Sequence, residues 1–144
     1  MGTAYILRSN EETEQEAVMQ WARMSEGRWP ELHLLHHIPN GGSRNKREAA
    51  RLKRMGVLAG VADLHLPVAR GGYHGLYIEL KYGDGKLRQT QKDFLKLAAA
   101  EGVYCCVCYT ADDAIEIITE YMKRDVKYPN LAIIKGGDQT GTVE

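Results

Sequence analysis

The chain lacks any apolar run close to the roughly 20 residues that a bilayer-spanning helix requires, so no transmembrane helix is expected. Met1 to Asn10 has neither a basic opening nor a long apolar stretch, and no secretory signal is expected there. Cysteine is scarce. Cys105, Cys106 and Cys108 all fall within four residues of one expected strand, an odd count with no partner elsewhere. That excludes a disulfide framework and fits a reducing cytosol. Internal repeats and low-complexity tracts are absent as well. What remains is 144 residues with 44% apolar and 26% charged side chains, the balance of one ordinary soluble domain.

Net charge is also missing, with Lys+Arg 19 against Asp+Glu 19, whereas many nucleic-acid binders are clearly basic. The charge is unevenly spread. Residues 44–54 (RNKREAARLKR) hold six basic side chains and one acid, a net of +5, which leaves thirteen basic against eighteen acidic elsewhere. An acidic body with one basic strip is compatible with a nucleic-acid partner.

Hydrophobic periodicity sets the order of elements. Residues 11–25 read as a helix with Asn10 as N-cap and acids in the first turn; Glu14, Ala17, Val18 and Trp21 share a face. Residues 31–38 (ELHLLHHI) read as a strand ended by the turn Pro39-Asn40-Gly41-Gly42. A basic helix over 44–55 stops at Gly56. Strands 63–68 and 75–81 flank the turn 69–74 as a hairpin. Helix 88–101 carries Leu87, Gln91, Phe94, Leu95 and Ala98 on one stripe and ends at Gly102. An apolar strand, 103–109, is expected at the centre of the sheet, its cysteines filling the core, before helix 111–123. The tail from Asp125 offers one short strand, 130–135, and then a loose Gly/Thr end. The order α-β-α-β-β-α-β-α predicts an α/β fold, a small mixed sheet flanked by helices.

Glu79-Leu80-Lys81 is the most informative triplet. On a strand, i and i+2 emerge on one face, so a carboxylate and an ammonium stand together. Hairpin pairing brings Asp63, which follows the glycine-punctuated stretch Gly56–Ala62, to the end of the Glu79 strand. Gln91 and Glu14 are polar residues on apolar helical stripes, where burial is costly unless they are paired, hydrogen-bonded or metal-bound. Three carboxylates about 4 Å apart repel by about 4 kcal/mol per pair at an effective dielectric near 20, more than one lysine offsets. Either a carboxylate is protonated or a divalent cation is present, and oxygen-only ligation suits Mg²⁺ or Mn²⁺ rather than Zn²⁺.

The string from Gly56 to Lys81, with Gln91 after it and Pro39-Asn40-Gly41-Gly42 before it, resembles the virus-type replication-repair nuclease (VRR-NUC) family. That family belongs to the PD-(D/E)xK nuclease superfamily, with a restriction-endonuclease-like core. The resemblance covers roughly residues 11–122 and rests on three motifs: G-x-x-D (Gly60 to Asp63), E-x-K (Glu79 to Lys81) and a glutamine in the following helix. It departs from the superfamily at Ala62, where a proline often stands; the carboxylate after it is unchanged. The resemblance implies that Asp63 and Glu79 ligate the metal, that Lys81 orients or activates water, and that Gln91 supports the site. The family's helix-one glutamate best matches Glu14, ahead of Glu16 and Glu11.

The implied function is metal-dependent endonucleolytic cleavage of DNA, structure-selective for branched substrates such as four-way junctions, by a homodimer in the cytoplasm of a bacterial or phage-infected cell. Residues 1–124 would form the nuclease domain and 125–144 a tail. The metal would be held by Asp63, Glu79, Glu14 and the Leu80 carbonyl. Arg44, Lys46, Arg47, Arg51, Lys53 and Arg54 of the basic helix, with Asn40, would contact phosphates. The competing reading is a non-catalytic nucleic-acid-binding module on a nuclease-like fold, which would have no use for clustered carboxylates that repel phosphate. A sequence-specific restriction-type nuclease is a weaker alternative, since an added recognition domain does not fit in 144 residues.

The histidines carry a weaker signal. His33, His36, His37 and His65 match no common zinc site, although His36 or His37 could line the cleft near Asn40. No Gly-Lys-Ser/Thr follows Gly71-Gly72, so that pair is a turn and not a P-loop. Tyr73 and His74, at the hairpin tip, could touch DNA.

Overall fold

The structure, a computed structural model, describes residues 10–39 and 45–126, with strands 132–135 and 139–142 traced as backbone. Helix α1 (Glu11–Met24) starts at Asn10, whose side chain accepts from the Thr13 amide at 2.9 Å while Thr13 Oγ1 accepts from the Asn10 amide at 2.8 Å. This reciprocal cap satisfies two orphan helix-end donors. Val18 and Ala22 are its buried residues; Trp21 is half-buried and Ala17 exposed, so the inward face is rotated from the expected one.

The expected strand over 31–38 is mostly a 3-10 turn, Pro30–Leu34, followed by a short strand β1 (His36–His37). Pro30 explains the change. It sits in the first turn, where its missing N–H costs nothing and its fixed φ starts a helix. Helix α2 (Lys46–Arg54) is capped by Asn45, which accepts from the Glu48 amide at 2.7 Å, and it buries none of its residues.

Strands β2 (Leu64–Leu66) and β3 (Leu76–Leu80) form the expected antiparallel hairpin, with Leu64 opposite Ile78 and Leu66 opposite Leu76. Helix α3 (Gln89–Ala100) then crosses over to strand β4 (Tyr104–Cys108), which pairs parallel to β3, and helix α4 (Ala111–Met122) follows. The sheet order is β1-β2-β3-β4. Among the described residues strand β4 is therefore an edge strand, not the central one expected. With β2 on one side of β3 and β4 on the other, β4 has β3 as its neighbour among the described strands. Cys108 is buried and fills the core, while Cys105 and Cys106 are only half-buried. In the tail, β5 (Ala132–Lys135) pairs with β6 (Gln139–Thr142), so the end expected to be loose is a second strand.

The strand period of two sorts β3 between two layers. Leu76, Ile78 and Leu80 point into a core shared with Val18, Ala22, Ala114, Ile118 and Tyr121, which puts α1 and α4 on that face. Full burial of each such aliphatic side chain stabilises by about 1.5–3 kcal/mol. Tyr77 and Glu79 point to the opposite face and meet Phe94 and Gln91 of α3. A one-residue slip of register would exchange the two sets. Among the described residues no helix is long and apolar enough to cross a membrane.

Candidate active site

At the carboxyl end of β3 a cavity of about 350 Å³ is lined by Asp63, Glu79, Lys81 and Gln91, four of the five side chains expected to act together. Hairpin pairing brings in Asp63 from the start of β2, and its Oδ2 accepts from the Leu80 amide at 2.8 Å. The Asp63 carbonyl is held from the other side by the Ile38 amide at 2.9 Å and by His37 Nδ1 at 2.7 Å. Asp63 is thus clamped between β1 and β3, which positions its carboxylate without a long flexible stem.

Glu79 is 3% exposed. Its Oε1 accepts from Gln91 Nε2 at 2.9 Å and lies 3.7 Å from Lys81 Nζ. Among the described residues its buried Oε2 has no hydrogen-bond partner. Burial, with the neighbouring Asp63 second, pushes the Glu79 carboxyl up to about 7, while Lys81 pulls it down. Gln91 is held in turn, because its Oε1 accepts from the Arg88 amide at 2.9 Å in the first turn of α3. The apolar stripe of α3 turns Gln91 inward, and its amide meets the one carboxylate on that side of β3.

Gly60 explains why α3 can start so close. It has φ +89°, and a Cβ there would run into the backbone of Thr90 at the head of the helix. The glycine of the G-x-x-D motif therefore packs against the turn that delivers Gln91.

Glu14 is elsewhere. Its Oε2 accepts from the Ala111 amide at 2.6 Å, so it caps the N-terminus of α4, and it does not line the cavity. Glu11, one turn earlier on α1, does line it. The reason is rotational: the buried stripe runs through Val18 and Ala22, which swings Glu14 toward α4. The expected trio of carboxylates, Glu14 with Asp63 and Glu79, does not converge. Among the described residues no group of three or more His, Cys, Asp or Glu side chains is placed to hold a metal ion. Asp63 and Glu79 remain as neighbouring carboxylates, with Glu11 at the wall. Replacing Glu14 by Ala should cost about 1 kcal/mol of stability, the worth of a helix cap, in denaturant unfolding. Replacing Glu11 by Ala should leave stability within about 0.5 kcal/mol, as for a surface change.

Arg88 also lines the cavity, and neither it nor its basic neighbours stand out in the sequence. The available signal is Lys86-Leu87-Arg88, a basic pair around the first residue of the inward stripe. Of the expected phosphate contacts, Lys46, Arg47, Arg51, Lys53 and Arg54 are all exposed on α2. Asn40 and Arg44 lie outside the described residues. His36 and His37 are exposed, and His65 stacks on Tyr77 at 4.4 Å; its pKa is lowered by burial and then by His36. Tyr73 and His74 do not reach the site. They lie at the other end of β3, where Tyr73 packs on Tyr104 at 4.9 Å and the His74 amide donates to the Gly102 carbonyl at 2.9 Å.

A four-stranded mixed sheet between α1/α4 and α3, with Asp63, Glu79 and Lys81 gathered where the strands end, defines a PD-(D/E)xK-like α/β fold. The VRR-NUC domain family matches residues 5–112. A solved VRR_NUC domain protein superposes with a TM-score of 0.71 at 35% identity, covering 82% of this chain and 92% of its own. The chain belongs to the VRR-NUC family, and its function is of the nuclease type. No curated protein matches it. Nucleases of this kind usually use divalent metals.

Proposed function

We propose that the chain is a Mg²⁺- or Mn²⁺-dependent DNA endonuclease, structure-selective for branched DNA such as four-way junctions, in which residues 1–124 form the nuclease domain and 125–144 a tail. The observation that carries this reading is Glu79. A buried carboxylate oxygen without a donor is costly in a finished interior, and a hard cation is the partner that fits it beside Asp63. Asp63, Glu79 and the Leu80 carbonyl would hold the ion, with water and phosphate oxygens filling the remaining positions. When bound, the ion polarises a phosphodiester and lowers the pKa of nearby water.

The chain's own groups divide the other tasks. Gln91 engages Glu79 Oε1 at 2.9 Å, which leaves Oε2 for a ligand. Lys81, 11% exposed on its side chain, presents an ammonium to the cavity and offsets negative charge that develops on the phosphoryl oxygens. Glu11 at the wall is the α1 acid best placed to join them, with Glu14 keeping α4 in position. A binding-only module would gain nothing from two adjacent carboxylates facing phosphate.

The basic helix α2 supports a DNA substrate. All five of its cationic side chains from Lys46 to Arg54 are exposed, and the helix packs no residue into the core. Reversing the charge of Arg47 and Arg51 should weaken DNA binding and flatten its salt dependence. The slope of log K against log salt should fall by at least about 2, since each phosphate no longer neutralised accounts for about 0.9. Titration at several salt concentrations checks this, and an unchanged slope removes α2 from the interface. The assembly expected for this reading is a homodimer, measurable by sedimentation.

The test of the whole reading is cleavage of linear, flap and four-way DNA with Mg²⁺ or Mn²⁺. Branched substrates should be cut in the presence of metal and spared when it is chelated. Intact DNA throughout, with either ion, would end the enzymatic reading.

A further inference from the structure

We infer that Arg88, Lys92 and Lys96 form a phosphate-binding ridge along α3 that leads one strand of the substrate out of the cavity; this rests on the DNA-cleaving reading above. The three cations are spaced i, i+4, i+8, which on a helix stacks them along one flank about 6 Å apart. That separation is of the order of the distance between neighbouring phosphates on a nucleic-acid strand. The ridge begins in the site, because Arg88 lines the cavity with Glu79 and Lys81. It does not belong to the packed face of α3, whose buried residues are Gln91 and Leu95, and all three cations are exposed. Among the described residues none of them is in an ion pair, unlike Lys123, which sits 3.4 Å from Glu120.

Charge distribution points the same way. Residues 86–100 carry Lys86, Arg88, Lys92 and Lys96 against the single acid Asp93, a net of +3. Asp93 Oδ1 is itself occupied, accepting from Gln89 Nε2 at 2.8 Å. Set beside the +5 of residues 44–54, this leaves nine basic and seventeen acidic residues in the rest of the chain, a net of −8. A polyanion is therefore repelled by most of the surface and admitted along two strips, and among the described residues only the α3 strip contains one that lines the cavity. The ridge touches phosphates and reads no base, so it binds without sequence preference.

The experiment is binding of a blunt duplex and of a four-way junction, in EDTA, across a salt series. Lys92→Gln/Lys96→Gln should lower the slope of log K against log salt by about 2 and weaken binding roughly tenfold at moderate salt. Arg88→Ala should remove about one further unit. Lys123→Gln, at the C-cap of α4 and already ion-paired, should change neither quantity. Should the double variant keep the native slope while reversal at Arg47 and Arg51 flattens it, the ridge is refuted and the DNA reading stands. Should the unaltered protein show no salt-dependent DNA binding at all, both fall together.

Discussion

Alanine in place of Lys81 is expected to lower the cleavage rate by at least about 10²- to 10³-fold while DNA affinity stays within about twofold. That is the scale seen when a preorganised donor is removed from a charge-developing site. The backbone of Lys81 is anchored regardless of its side chain, because its amide donates to the Cys108 carbonyl at 2.8 Å. The ammonium, by contrast, is one cation held 3.7 Å from a buried carboxylate, and its removal leaves the charge that develops on the phosphoryl oxygens during cleavage without that counter-charge. Arginine should rescue little. Its planar fork is larger and cannot replace a compact, rotatable ammonium in a cavity of about 350 Å³. Single-turnover cleavage alongside binding in EDTA separates the two effects, and a Lys81→Ala protein that still cuts with metal would overturn the assignment.

The second large effect concerns stability without metal. Glu79 has its carboxyl raised from 4.5 to about 7 in the folded protein, first by burial and then by Asp63. Between those two values the folded state holds more protons than the unfolded chain, so stability falls as pH rises. Below about pH 4.5 both states are protonated and this cost is absent; above about pH 7 both are ionised and it is complete. At 1.36 kcal/mol per unit the loss is on the order of 3 kcal/mol. Glu79→Gln should remove that pH dependence and make the metal-free protein more stable at pH 8, while abolishing cleavage. Mn²⁺ should raise the melting temperature of the unaltered protein at pH 8 and leave the variant unmoved. Thermal unfolding at pH 5 and pH 8, with and without the ion, measures all three. A variant that is less stable than the parent at pH 8 would show that Glu79 is already satisfied without metal.

The glutamate of α1 shows where periodicity stops being enough. Glu11 and Glu14 lie one turn apart in a run of acids, and spacing to Trp21 selects Glu14. In the fold, the buried stripe passes through Val18 and Ala22, and Glu14 meets the backbone of Ala111, 97 residues away. Nothing local announces that α4 will need a cap from α1. Strand β4 shows the same gap. Its apolar cysteine-rich sequence suits a central strand, but strand order is a property of the whole sheet, and β4 ends at its edge. Arg88 escapes notice for a related reason, since a basic pair before a helix is ordinary until the fold lines one cavity with Arg88, Gln91 and Glu79.

Local pattern was enough to set the alternation that puts Glu79 and Lys81 on one face, the inward aim of Gln91, the glycine before Asp63 and the basic run of α2. These depend on periods of 2 and 3.6 residues and on turn chemistry, which act over short stretches of chain. Long-range packing chose which acid of α1 reaches the cavity and which strand is left at the edge. Among the described residues it also left the buried Glu79 Oε2 without a partner, and it brought Arg88, at the head of α3, to the cavity wall. Each of those outcomes depends on how distant elements rotate and pack against one another, and the free energy that sets the rotation is shared across the whole core.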